Sequence, residues 1–135
     1  MIKHLSDSAL YEKACEAREK SYSPYSNISV GAALLTKSGK IYTGANIENA
    51  AFSPSVCAER VAFFKAINDG EREFSKIAVA GGNKGEKEKT NFSPCGVCRQ
   101  VMAEFCSEDF EVVLSENTSV KFSEILPFGF NKELL

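Results

Sequence analysis

The amino-acid sequence predicts an α/β fold in which helices pack on the faces of one mixed β-sheet. Segments with helix-like and strand-like patterns alternate in the order helix, two strands, helix, strand, helix, two strands. The chain has 135 residues, of which 44% are hydrophobic and 25% charged, as in globular proteins with one compact core. Because no internal repeat or linker interrupts this alternation, we expect residues 1–135 to form a single domain.

Local signals define the elements in the first half of the chain. Ser6 or Asp7 can cap a helix over residues 6–21, and the Ser-Pro-Tyr-Ser stretch that starts at Ser23 ends it. The residues at helical spacing are Leu10, Ala14, Ala17 and Arg18. Lys37-Ser38-Gly39 is typical of a hairpin turn, so the flanking segments are expected to pair as antiparallel strands. These strands cover residues 30–35 and 40–45.

The second half continues the alternation after a loop over residues 46–56. The second helix is predicted to end at the turn-forming Asn68-Asp69-Gly70, and Ser93-Pro94 introduces the third helix. The predicted elements are a helix over residues 57–69, a strand over 74–80, a helix over 95–105 and strands over 110–114 and 120–122. The last two strands are expected to complete the sheet. A short turn and an aromatic tail follow them.

Composition and charge argue against several classes of protein. The net charge is −2, and the basic cluster over residues 84–89 is interrupted by Glu86 and Glu88, so a nucleic-acid partner is not expected. No apolar run approaches the about 20 residues of a membrane span. The first ten residues lack the apolar core of a secretory signal, so a cytoplasmic location is expected. A small-molecule ligand fits this balance best.

The spacing of the cysteines indicates a metal site. Cys57-Ala58-Glu59 and Pro94-Cys95-Gly96-Val97-Cys98 each open a predicted helix, where unpaired N–H groups favour the thiolate form that binds metals. Cys15 and Cys106 occupy apolar helix positions and are expected in the core, and the lone His4 is expected on the surface. Cys57, Cys95 and Cys98 therefore predict one zinc ion per chain.

Three protein ligands are typical of catalytic zinc, which keeps a position for water, whereas structural zinc usually takes four. Glu59, two residues after a ligand, could be an ordinary acid at a helix N-terminus. Beside a water molecule activated by zinc, however, it becomes a proton carrier. The pattern predicts Glu59 as the catalytic acid and base.

The chain resembles the small homotetrameric zinc-dependent cytidine deaminases over almost its whole length. The stretches that carry the resemblance begin at Ser23 (SPYS), Val30 (VGAALL), Asn46 (NIENAA), Cys57 (CAER), Ser93 (SPCGVCRQ) and Leu126 (LPFGF). The motifs also match the general zinc-deaminase pattern of a ligand, x-Glu and a later Pro-Cys-x-x-Cys. The resemblance implies a three-layer α-β-α sandwich with a five-stranded mixed sheet, and a homotetramer.

The resemblance also implies substrate-binding residues. Asn46 and Glu48 match residues that bind the ribose hydroxyl, although the residues alone read as a polar turn. The Ala58 N–H would lie near the pyrimidine O2, and Arg60 would bond the ligand sulfurs, with Arg99 able to assist. Phe130 matches an aromatic residue that enters a neighbouring subunit's site, although its tail could equally fold onto its own core.

Two positions depart from the family pattern. Ile28 stands where relatives carry Phe, so an aromatic contact with the base is lost or supplied elsewhere. Phe52 stands where relatives often carry Tyr, which removes a hydroxyl near the 5′ end of the nucleoside. Both leave the range of tolerated nucleosides open.

The implied activity is hydrolysis of cytidine and 2′-deoxycytidine to uridine and 2′-deoxyuridine with release of ammonia, through a zinc-bound hydroxide, in pyrimidine salvage. One alternative is a deaminase of another nucleoside such as blasticidin S, or of a base in a nucleic acid. A second alternative is a non-catalytic zinc-binding module, which a fourth protein ligand would favour.

Overall fold

The computed structural model describes residues 5–135, so His4 lies outside the described residues. The elements are α1 (Asp7–Ala17), β1 (Ile28–Thr36), β2 (Ile41–Ala45), α2 (Ala58–Asn68), β3 (Phe74–Asn83), α3 (Gly96–Phe105), β4 (Glu111–Ser115), β5 (Thr118–Lys121) and α4 (Phe122–Ile125). Short 3₁₀ turns follow α1 at Arg18–Lys20 and end the chain at Lys132–Leu134.

The five strands form one mixed sheet in the order β2-β1-β3-β4-β5. The pair β3 and β4 is parallel, and the other three pairs are antiparallel. Parallel strands need a crossover connection, and α3 supplies it between β3 and β4. The predicted five-stranded mixed sheet is confirmed.

Strand β1 is buried on both faces because helices cover both sides of the sheet. Side chains alternate along a strand, so Ala32 and Leu34 face the core under α2 and α3, whereas Ala33 and Leu35 face α1. Two apolar clusters, one on each face, therefore hold the helices. This arrangement confirms the predicted three-layer α-β-α sandwich.

Helix α2 lies unusually close to strand β2 at Gly44. A Cβ atom added to Gly44 would lie 2.5 Å from the Ala58 carbonyl oxygen and 2.7 Å from the Ala62 nitrogen. A side chain at Gly44 would therefore push away the first turn of α2. Further along this helix Phe63 is fully buried, whereas its neighbour Phe64 is half exposed.

The structure shifts several of the predicted boundaries. The first helix ends as an α-helix at Ala17 and tightens into a 3₁₀ turn. Strand β3 runs three residues past Ala80, because Gly81 to Asn83 still pair with β1. The prediction that Phe122 ends the last strand is wrong, since it begins α4 and buries its ring. Among residues 5–135, none of the helices combines the length and apolar character that crossing a bilayer requires.

Candidate metal centre and ligand cavity

The thiols of Cys57, Cys95 and Cys98 converge at one point. Their sulfur atoms lie within 4.8 Å of one another, and the Cys57–Cys95 and Cys95–Cys98 sulfur distances are both 3.5 Å. Tetrahedral zinc–thiolate bonds of about 2.3 Å place sulfurs roughly 3.8 Å apart, which is close to this spacing. The donor set fits a zinc ion, and it is the one such His, Cys or acidic group among residues 5–135.

The fold brings these cysteines together because of the strand directions. Strand β1 runs antiparallel to both β2 and β3, so the carboxyl ends of β2 and β3 lie at the same edge of the sheet. The chain continues from these two ends into α2 and α3, and ligands commonly bind beyond such strand ends. Cys57 is the N-cap of α2 and Cys95 the N-cap of α3, with Cys98 in the first turn of α3.

Neither N-cap cysteine uses its side chain to cap its helix, so both thiols are free to bind an ion. Contact with the Cys98 thiol and a hydrogen bond from Arg60 lower the pKa of Cys57 to about 5, although burial of the thiol acts in the opposite direction. The same contact raises the pKa of Cys98. Metal binding must therefore displace the Cys98 proton.

Arg60, which the family resemblance places near the ligand sulfurs, lies beside the thiol cluster. Its NH2 group donates to the Cys57 sulfur at 3.4 Å. Its Nε–H is buried and has no hydrogen-bond partner within the described residues. Arg99 instead donates to the carbonyl oxygens of Pro94, at 2.8 Å, and Ile125, at 2.6 Å, so it fixes the turn before Cys95 rather than contacting sulfur.

A cavity of about 380 Å³ adjoins the thiol cluster. Glu59 and Ala58 line it, both from the first turn of α2, and Glu59 is only 3% exposed. Burial raises the pKa of Glu59 to about 7. A carboxyl group with such a pKa can both accept and release a proton near neutral pH.

Asn46 also lines the cavity, but its side chain is largely occupied by the protein itself. Its Oδ1 accepts hydrogen bonds from Ser21 Oγ at 2.6 Å and from the Val30 N–H at 2.9 Å. Its Nδ2 donates to the Ile28 carbonyl oxygen at 2.9 Å. Since the amide group has two N–H donors, one remains for a ligand.

Glu48 lines the cavity and holds the loop before β1 in place. Its Oε1 accepts the backbone N–H groups of Tyr25 at 3.0 Å and Ser26 at 3.1 Å, and its Oε2 accepts the Ser26 hydroxyl. These bonds, the Ser26 hydroxyl first, lower the pKa of Glu48, which stays ionised. A carboxylate offers about four acceptor positions, so one remains free.

Other residues singled out from the sequence lie outside this cavity. Phe130 is 56% exposed, and Gln100 Nε2 donates to its carbonyl oxygen at 2.9 Å. Ile28 packs against the core instead. Phe52 is exposed with a positive φ and meets the Tyr25 ring edge to face. The thiols of Cys15 and Cys106 pack beside the two apolar clusters, as predicted for core cysteines.

Sequence reasoning missed one prominent wall of the cavity. Phe92 lines the cavity, although the sequence analysis does not single it out. It lies at the end of a loop that the sequence describes only as polar. An aromatic residue directly before Ser93-Pro94-Cys95 was the available signal. A second cavity of about 570 Å³, lined by Lys37, Lys76 and their neighbours, contains none of the predicted site residues.

Comparison with known proteins shows that the chain is similar to zinc-binding deaminases. The model of the cytidine and deoxycytidylate deaminase zinc-binding region matches residues 5–114. A cytidine deaminase from Sporosarcina psychrophila is 48% identical over 130 residues, covering 92% of this chain and 90% of that protein. The crystal structure of a Burkholderia pseudomallei cytidine deaminase superposes with a TM-score of 0.83 at 42% identity, covering 93% and 100% of the two chains. A blasticidin-S deaminase from Bacillus cereus is 31% identical over 108 residues, covering 76% and 77%.

Proposed function

Because the chain belongs to the cytidine and deoxycytidylate deaminase family, we propose that it hydrolyses cytidine and 2′-deoxycytidine to the uridines with release of ammonia. One observation carries the proposal. The buried Glu59 carboxyl lines the same cavity that the three convergent thiols adjoin. The site therefore combines a metal-binding group with a proton carrier.

Cys57, Cys95 and Cys98 would hold the zinc ion. When bound, zinc lowers the pKa of a coordinated water molecule to about 7 and so supplies a nucleophile at neutral pH. Three thiolates give the ion a strongly anionic surrounding. The Arg60 guanidinium, which donates to Cys57 Sγ, offsets part of that charge.

Glu59 moves the protons of the reaction. It accepts a proton from the water that attacks C4 of the pyrimidine and delivers it to N3. It then takes the remaining hydroxyl proton and transfers it to the amine, so that the C4–N bond breaks and ammonia leaves. Its pKa of about 7 suits both directions of transfer.

The remaining groups orient the nucleoside. The Ala58 N–H at the start of α2 lacks a partner within its helix and can donate to the pyrimidine O2. The free Nδ2 hydrogen of Asn46 and the free acceptor position of Glu48 are suited to ribose hydroxyls. A free nucleoside, rather than a nucleic acid, fits the net charge of −2.

We also propose a homotetramer with shared sites. Phe128, Phe130, Leu134 and Leu135 are all more than half exposed, more apolar surface than a chain end usually leaves uncovered. Phe130 would then complete a neighbouring subunit's cavity. Three reduced thiols used as a metal site are typical of a reducing compartment, which supports pyrimidine salvage in the cytoplasm.

The similarity to a blasticidin-S deaminase keeps that nucleoside as a second candidate substrate. A spectrophotometric assay of cytidine, 2′-deoxycytidine, cytosine, adenosine and blasticidin S, with zinc quantified in the same sample, separates these activities. We expect turnover of the first two with about one zinc per chain. A zinc-loaded protein that turns over none of the five compounds would refute the proposal and favour a binding module.

A further inference from the structure

Phe92 is the one aromatic side chain that lines the thiol-adjoining cavity within the described part of the chain. Glu59, Cys57, Cys95 and Glu48 line this cavity, and Val30 and Phe92 supply apolar wall. A nucleoside presents a reacting edge, a sugar and a flat apolar face. Of the lining side chains, the Phe92 ring matches that face best.

The Phe92 ring packs against Gly81 on β3, and this position depends on the lack of a side chain at Gly81. Three ring atoms lie 2.6 to 2.8 Å from where a Cβ atom of Gly81 would stand. The ring therefore lies flush against the β3 backbone, and any larger residue at Gly81 would displace it. The backbone is close here as well, since the Lys89 N–H donates to the Gly81 carbonyl oxygen at 2.8 Å.

The loop that carries Phe92, residues 84–92, is anchored by a buried cation. Arg18 is 7% exposed, and its NH1 group donates to the Glu86 carbonyl oxygen at 3.0 Å and to Glu88 Oε2 at 2.8 Å. Its NH2 group donates to the Asn83 carbonyl oxygen at 3.1 Å. Its Nε donates to both the carbonyl oxygen and the hydroxyl of Ser29 on β1, at 3.0 and 3.2 Å.

A buried guanidinium is stable only when its donors are satisfied, so these bonds fix the loop relative to β1. Most side chains of the loop are otherwise exposed and polar, and such segments have little packing of their own. Arg18 therefore sets where the loop returns to the sheet and where Phe92 enters the cavity.

We propose that Phe92 is the aromatic wall for the base of the substrate and that Arg18 is a positioning residue that acts through the loop carrying Phe92. The inference rests on the proposed nucleoside activity. It assigns Phe92 to affinity for the ring rather than to the proton transfers.

The test compares F92L, R18M and the double variant R18M/F92L with the wild-type zinc-loaded protein. Cytidine KM and kcat, the uridine Kd from calorimetry and the zinc content are measured. We expect F92L to raise both KM and the uridine Kd about tenfold with kcat changed less than about threefold, because stacking contributes to ground-state and transition-state binding alike. Zinc content should not change.

For R18M we expect the cytidine KM to rise by about three- to tenfold. If Arg18 acts through Phe92, the two effects are not additive, so the KM of the double variant should not exceed that of F92L by more than about twofold. E88Q removes the charge partner of Arg18 and should raise KM in the same direction. E86Q is the matched control, because Glu86 meets Arg18 only through its backbone carbonyl. If R18M does not fold, E88Q against E86Q carries the test.

An F92L protein with unchanged KM and uridine Kd overturns the inference. A double variant whose KM effect is the product of the single effects overturns the role of Arg18. If the wild-type protein neither deaminates cytidine nor binds uridine, the proposed function itself fails, so the two failures are distinguishable.

Discussion

The thiol cluster and the pair Asn46 and Glu48 both border the cavity but use their side chains in different ways. Cys57 and Cys95 are helix N-caps whose side chains make no cap hydrogen bond, and Cys98 follows in the first turn of α3. Asn46 and Glu48 lie in the connection after β2, and each side chain makes three hydrogen bonds to the protein. The thiols thus stay available for a ligand, whereas Asn46 and Glu48 use most of their polar atoms to hold loops.

This difference has a consequence for substitutions. A change at Cys57 or Cys95 should remove metal binding while leaving the fold intact, because neither side chain caps its helix. A change at Asn46 or Glu48 should weaken binding modestly and also loosen the loops, because exposed or partly buried carbonyl and N–H groups lose their side-chain partners.

The largest effect is expected for Glu59→Gln. The amide keeps the volume of the buried side chain but cannot carry protons, so kcat should fall by at least about 10²- to 10⁴-fold. Zinc content and the thermal midpoint should remain close to those of the wild type. Turnover at a tenth of the wild-type rate would show that another group carries the protons.

Arg60→Gln tests whether charge beside the thiols matters. Partners of metal ligands typically contribute about 10- to 100-fold to metal affinity or activity, so zinc should be lost to a competing chelator at correspondingly lower concentration. Arg72→Gln is the matched control, because Arg72 donates only to the Ile67 and Glu71 carbonyl oxygens at the far end of α2. Equal zinc retention in the two variants would contradict a role for Arg60.

Phe130→Ala tests whether another subunit contributes to the cavity. Loss of a stacking ring should raise the cytidine KM by about tenfold with little change in zinc content. Mixing this variant with Glu59→Gln under conditions of subunit exchange should restore some sites that contain both intact residues. An active species of about 15 kDa by light scattering, close to the 14.7 kDa chain mass, would contradict shared sites.

The smallest effect is expected for Glu48→Gln. Its carboxylate has one acceptor position left for a hydroxyl, and solvent at this partly exposed position weakens charged hydrogen bonds, so the effect should be small. The KM for cytidine should rise about fivefold, whereas competitive inhibition by cytosine, which lacks the sugar, should be unaffected. An equal change for both compounds would mean that Glu48 acts only on the loop before β1.

Local patterns were enough to predict the strands and the first hairpin of the sheet. The continuous apolar run of β1 and the turn at Lys37-Ser38-Gly39 depend on neighbours a few positions away, which the sequence displays directly. Part of the thiol set follows from local spacing in the same way. An N-cap residue and one three positions further lie on one side of a helix start, so Cys95 and Cys98 had to be adjacent wherever α3 lay.

Hydrogen bonds between residues far apart in the chain could not be predicted from local patterns. Arg18 appears at helical spacing among apolar residues, but its partners Asn83, Glu86 and Glu88 are 65 to 70 positions away. Likewise, the family resemblance implies Asn46 as a ligand-binding group without revealing that Ile28 and Val30 already occupy most of its side chain.

The sequence by itself therefore predicted one mixed sheet covered by helices and the residues of the metal site, because the elements follow from periodicity and the site residues from their motif spacing. Only the tertiary structure decided how Cys57 on α2 meets Cys95 on α3, that Phe92 enters the cavity and that Phe63 rather than Phe64 is buried. These outcomes depend on contacts between segments far apart in the chain, such as the Phe92 ring packed against Gly81, where a side chain on β3 would displace it.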